Sequence, residues 1–193
     1  SLFPEQALAY FYKGVALYSL DKNEMAVDAF NTALKMDSEN KFIKINSLIT
    51  LGQLYHRLEM DSLLFDTYDK VLAFDKNNTT VLNNYAYFLA LRNKDLDKAL
   101  KMSTQALRNS PNTDFILDTH AWVLYKKGDY QKAEEFILKA IKRSDTEKSI
   151  YYEHYAEILL KLNKIDQAIE NFQKAISAGG DQQLLNDRIN SIK

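Results

Sequence analysis

Cysteine is absent from this chain, which excludes disulfides and thiolate metal sites and leaves the redox compartment open. Five glycines and two prolines in 193 residues leave little room for flexible linkers. No run of about 18 apolar residues occurs, so no transmembrane helix and no direct membrane insertion are expected. Neither sign of charge is in excess: 25 Lys and Arg stand against 26 Asp and Glu. A non-specific nucleic-acid binder usually carries a strong basic surplus, so that class is set aside. No secretory signal is visible, and the chain starts Ser1-Leu2-Phe3-Pro4 without a Met. The expectation is a processed or trimmed chain. Its location stays open between cytoplasmic and, if a signal was removed, periplasmic or membrane-associated.

What the chain does have is 46% hydrophobic residues, with 12 Tyr and 10 Phe, the composition of a soluble globular protein. Residues 114–147 show how they are used. Leu117, His120/Ala121 and Leu124 recur at the spacing of one helix face. Lys127-Gly128-Asp129 then interrupts: Gly128 suits a left-handed turn after a helix, and Asp129 can cap the next one. A second helix follows with Ala133, Ile137 and Ala140/Ile141 at the same spacing. The small Ala121 and Ala133 would let the two backbones approach closely. Such a hairpin cannot bury its apolar face alone and needs copies of itself as neighbours.

The copies are present. The small residue of the first helix recurs as Gly14, Gly52, Ala86, Ala121 and Ala156, in steps of 38, 34, 35 and 35 residues. The matching position of the second helix reads Ala26, Leu64, Ala99, Ala133 and Ala168, and seven residues on stand Ala33, Val71, Ala106, Ala140 and Ala175. Between them lie Phe30, Tyr68, Ile137 and Phe172, with Ser103 as the exception. Polar, helix-breaking runs such as Asp75-Lys76-Asn77-Asn78 and Ser110-Pro111-Asn112-Thr113 separate the copies. This order of small, aromatic or aliphatic, and Ala positions resembles the tetratricopeptide repeat. Residues 114–147 match best, and the fragments Leu82–Ala90 and Leu117–Trp122 look like bacterial members. The repeats run over about 7–40, 45–78, 79–113, 114–147 and 149–182, one array within 1–193. The resemblance implies an all-α fold, tandem helix-turn-helix repeats forming a right-handed α-α superhelix.

Three departures mark the array. Lys41-Phe42-Ile43-Lys44 adds four residues before copy two, about one helical turn, and should lengthen its first helix. Copy two also has Leu64 at a normally small position and no glycine in its turn. Copy three carries one extra residue within Arg92-Asn93-Lys94-Asp95. After Gly179-Gly180, residues 183–192 form an amphipathic segment with Leu184, Leu185, Arg188, Ile189 and Ile192 on one face. That is a C-terminal capping helix, the eleventh, covering the open edge of the last repeat.

Catalytic constellations do not emerge. His56, His120 and His154 fall in three copies; His120 belongs to the core face, and His56 and His154 are expected to face outward. No His-Glu-x-x-His, phosphate loop or nucleophile elbow occurs. The nearest metal candidate is Glu153, His154 and Glu157 on one helix, with Asp118 one copy away; acidic pairs of this kind are common on helix surfaces, so no metal and no cofactor are assigned. The informative feature is a second stripe on each first helix. Copy three offers Asn83, Asn84, Tyr87 and Leu91; copy four offers Phe115, Asp118, Thr119, Trp122 and Tyr125; copy five offers Glu153, His154, Glu157 and Lys161. The resemblance implies that this stripe lines a concave surface that holds peptides. Trp, Tyr and amide side chains suit a wet, sequence-reading groove. A single aromatic would serve equally well to pack against the neighbouring copy.

The function expected is a non-catalytic protein–protein interaction scaffold. The peptide or partner groove would be formed by Asn83, Asn84, Tyr87, Asp118, Thr119, Trp122, Tyr125, Glu153, His154 and Glu157. Its acidic residues favour a partner segment with Lys or Arg beside an apolar or aromatic residue. Two alternatives stay open: a structural module that self-associates as a homo-oligomer through copy one's largely apolar stripe (Leu8, Phe11, Tyr12, Val15, Tyr18), or a regulatory subunit of an enzyme complex.

Overall fold

The computed structural model describes residues 4–192, and these are α-helical with short turns between. Contacts divide the chain into two compact units, one ending at Val81 and one starting at Leu82. The first unit contains α1 (Pro4–Ser19), α2 (Asn23–Met36), α3 (Lys41–Arg57) and α4 (Asp61–Phe74). From α5 (Thr79–Leu91) onward come α6 (Leu96–Asn109), α7 (Asp114–Lys126), α8 (Tyr130–Arg143), α9 (Ser149–Lys161), α10 (Ile165–Ser177) and α11 (Gln182–Asn190). Among the described residues these make eleven helices, no strand, and no helix long and apolar enough to cross a membrane.

Each repeat is a pair of helices closed by one device. The first helix ends with a residue in the left-handed region: Asp21, Glu59, Asn93, Gly128 and Asn163, at φ 53°, 58°, 51°, 85° and 59°. In every case the next amide reaches back across the turn. Lys22 N bonds Leu17 O at 2.9 Å, Met60 N bonds Tyr55 O at 2.8 Å, and Asp129 N bonds Leu124 O at 3.0 Å. Lys94 N to Leu89 O and Lys164 N to Leu159 O, both 2.9 Å, complete the set. This is the Schellman motif, which satisfies carbonyls that the helix end would leave orphaned. Only Gly128 among the five is a glycine, so copy two reaches the same turn through Glu59. The extra residue of copy three is absorbed by a second left-handed residue, Asp95, at φ 43°.

The inserted residues 41–44 lengthen α3 to 17 residues, against 13 in α5, α7 and α9. Asn40 starts it, its carboxamide oxygen accepting from Phe42 N and Ile43 N. Gly52 shows why the small position matters here: a Cβ added to it would lie 2.2 Å from the ring of the fully buried Tyr68.

Two hydrophobic clusters belong to the core of the second unit. Leu117, Ala121 and Leu124 of α7 pack with Ala133, Ile137 and Ala140 of α8 and with Tyr151 and Ile158 of α9. Ala156 and Leu159, Ala168, Phe172 and Ala175 then pack with Leu185 and Ile189 of α11, which covers the last repeat as a cap. Each fully buried large apolar side chain contributes roughly 1.5–3 kcal/mol.

His120 is built into this core. It is 6% exposed, its Nδ1 lies 3.0 Å from Ser103 Oγ, and its ring meets Phe136 edge-on at 4.6 Å. The polar exception at Ser103 thus faces the one histidine of the core stripe. Burial pushes the imidazole down from 6.5 to about 4, so it folds neutral. The unfolded chain binds that proton more readily, so this contribution is complete above the unfolded pKa and is lost as the pH falls from 6.5 toward 4. Between pH 7 and pH 5, His120 alone should cost about 1.5–2 kcal/mol of stability. Urea denaturation at both pH values should show a smaller loss in His120→Gln than in the parent. An equal loss would remove His120 from the acid response.

Candidate groove of the second unit

A groove of about 370 Å³ opens in the second unit. Tyr87 and Leu91 of α5 and Trp122 of α7 form one side of its lining, and Ile150, Glu153, His154 and Glu157 of α9 another. Phe172 of α10 and Leu184, Leu185 and Arg188 of α11 complete it. Helix periodicity explains the choice: 150, 153/154 and 157 share one face of α9, as 87 and 91 share one face of α5.

Three rings organise the centre. The indole of Trp122 stacks on His154 at 4.0 Å with 15° between planes, and on Tyr125 at 4.7 Å with 17°. Lys126 Nζ lies 5.0 Å from the indole centre. His154 is held by its other edge, with Nδ1 2.7 Å from Asp118 Oδ1. A carboxylate only accepts, so the ring nitrogen carries the proton in that bond. His154 is 4% exposed, which corrects the expectation that it faces outward. The reason is Asp118, one repeat earlier, which gives the buried ring a charged acceptor. His56 is half-buried.

The groove carboxylates have partners of their own. Glu153 Oε1 accepts from Ser149 Oγ at 2.5 Å. Glu157 takes a two-pronged bond from the guanidinium of Arg188, at 2.7 and 2.9 Å. Burial first, then the charges of Asp118 and Glu153, push the Tyr87 hydroxyl up to about 12. Burial and Glu157 hold Tyr125 at about 12 as well. Both phenols therefore stay neutral and act as hydrogen-bonding groups. Among the described residues no group of three or more His, Asp and Glu side chains could hold a metal ion.

The structure thus brings Tyr87, Trp122, Glu153, His154 and Glu157 to one cavity and leaves the other five sequence candidates off its lining. Asn83, Asp118 and Thr119 are 5%, 5% and 3% exposed. Asp118 is engaged by His154, and Asn83 Nδ2 donates to Asn84 Oδ1 at 3.3 Å. Tyr125 lays one ring face on Trp122. Sequence reasoning left out Ile150, Leu184, Leu185 and Arg188. Ile150 could have been found, since it continues the 153/157 face by one step. The α11 residues carried only the signal of a cap.

Comparison with known proteins covers most of the chain. Residues 67–175 match the family model described as anaphase-promoting complex, cyclosome, subunit 3, and residues 7–40 match a tetratricopeptide repeat model. A TPR repeat-containing protein of Methanocaldococcus jannaschii is 29% identical over 182 residues, covering 89% of this chain and 31% of that protein. The chain spans less than a third of the length of the curated relatives it matches. A thermophilic TPR protein of Thermus thermophilus superposes with a TM-score of 0.77 at 20% identity, over 96% of this chain and 98% of that one. The APC/C hetero-tetramer Cut9–Hcn1 gives 0.86 at 14% identity, over 98% of this chain and 36% of the other. At these identities the likeness establishes the fold, a tandem array of helical repeats.

Proposed function

This chain belongs to the tetratricopeptide repeat family, and we propose that it is a non-catalytic scaffold holding a partner protein segment in the groove of its second unit. Repeats of this family are protein–protein interaction modules. The observation that carries the reading is the groove's mixed lining. Ile150 and Leu184 stay 39% and 63% exposed beside the carboxylates of Glu153 and Glu157. Arg188 neutralises Glu157, which leaves one net negative charge next to an apolar wall. A segment with Lys or Arg beside a large apolar or aromatic residue matches both. Its charge would meet Glu153, and its apolar side chain would cover Ile150, Leu184 and Leu91.

Fluorescence anisotropy with a labelled peptide of alternating lysine and leucine tests this. Glu153→Gln and Leu184→Ser should each weaken binding about three- to tenfold while the melting temperature holds, and added salt should weaken the parent more than Glu153→Gln. Equal affinities for parent and both variants would sink the groove reading.

A second reading rests on α1. Leu8, Tyr12 and Val15 are 38%, 57% and 38% exposed along one face, whereas Phe11 turns inward against Phe30 and Phe42. An exposed apolar stripe of this kind marks an interface, here one for self-association. Light scattering over a concentration series separates the two: a mass that rises with concentration and falls back in Tyr12→Ser favours assembly.

A further inference from the structure

On a different face of the second unit lies a trough of about 660 Å³ that the groove does not share. Leu107 of α6, Leu117 of α7 and Phe136 of α8 supply its apolar lining, and Lys139, Lys142 and Arg143 of α8 its charge. Leu117 and Trp122 are five residues apart on α7, about 140° around the helix, so trough and groove draw on different faces of it. No acidic side chain lines the trough. Four other bases of this unit are each paired with an acid: Lys127 with Asp97, Lys148 with Asp114, Lys164 with Glu134, Arg188 with Glu157. Lys139, Lys142 and Arg143 make no ion pair among the described residues; Lys139 instead lies 4.7 Å over the Phe136 ring. The carbonyl end of α8 offsets only about half a charge of the three. A chain with a net charge of −1 therefore concentrates three uncompensated cations around an apolar hollow.

We propose that this trough is a second docking site, for an acidic peptide segment that carries a large apolar side chain between its carboxylates. The apolar side chain enters between Leu107 and Phe136, and its carboxylates meet Lys139, Lys142 and Arg143. The concavity favours a peptide over a bilayer surface, which needs a protruding or flat apolar face. A single aromatic ring and near-zero net charge do not make the stacking platform and electrostatic channel that single-stranded nucleic acid requires. With the groove reading a basic segment and the trough an acidic one, one repeat unit would join two partners of opposite charge.

The test uses the full 193-residue chain and a labelled peptide of alternating glutamate and leucine. The parent should bind it, should bind its glutamine–leucine counterpart at least tenfold more weakly, and should lose affinity as salt rises. The triple variant Lys139→Gln, Lys142→Gln, Arg143→Gln should lose about tenfold or more; all three side chains are exposed, and circular dichroism checks its fold. Lys142→Gln alone should lose a measurable part of the same affinity. Unchanged binding by the triple variant, equal binding of the glutamine peptide, or binding to phosphatidylserine vesicles or oligo(dT) without binding to the peptide would each overturn the proposal. Glu153→Gln should leave this affinity unchanged, so failure here is distinguishable from failure of the groove.

Discussion

Trp122→Ala should lower the unfolding free energy by about 3–5 kcal/mol, the range of a large aromatic removed from a packed interior. The side chain is 9% exposed, and its indole is stacked on both His154 and Tyr125. Its loss would open a void beside the Asp118–His154 hydrogen bond, which would then meet water in a setting built dry. The effect should match or exceed that of Leu124→Ala, expected at about 2–5 kcal/mol. Urea denaturation of both variants decides the comparison. A cost below about 1 kcal/mol, together with lost peptide binding, would show instead that Trp122 acts mainly as an anchor for the partner.

The second large effect concerns α11. Deleting residues 183–193 removes Leu185 and Ile189, 4% and 5% exposed, from the core against Phe172 and Ala175. Each side chain is worth roughly 1.5–3 kcal/mol, less the cost of ordering the segment. The half-exposed clasp of Arg188 on Glu157 adds at most about 1 kcal/mol. The melting temperature should fall by about 5–10 °C, and the shortened chain should aggregate through the uncovered edge. Thermal unfolding followed by circular dichroism reads the first effect and light scattering the second. A melting curve that does not move would make α11 a loose tail. The same deletion takes Leu184, Leu185 and Arg188 out of the groove, so lysine–leucine peptide binding should fall with it.

Much of this is legible in the sequence alone. The steps between Gly14, Gly52, Ala86, Ala121 and Ala156 located every hairpin, because a small residue is demanded wherever two helix backbones press together. The inserted residues 41–44 and the amphipathic segment 183–192 also reported their structures directly, through helix periodicity. The groove was less legible. Periodicity gives the face of a helix but not what stands opposite it. Asp118 and Trp122 are therefore legible as members of a second stripe, but not as the partners of His154, thirty-six and thirty-two residues later, which meets both. Likewise Arg188 gave no sign of reaching Glu157 from another helix. Pairings between repeats depend on how successive copies are rotated, and no single-sequence pattern encodes that angle.

The hairpin turns also carry an evolutionary margin. Four of the five place a residue with a side chain, Asp21, Glu59, Asn93 or Asn163, in a backbone region that costs an L-residue roughly 1–2 kcal/mol, least for Asn and Asp. Glycine at these positions would relieve most of that strain, so the fold tolerates it without needing it. The turns are thus places where the chain can gain or lose a few kcal/mol without altering the groove or the trough. A repeat protein with such adjustable joints can absorb destabilising changes on its binding faces and still remain folded.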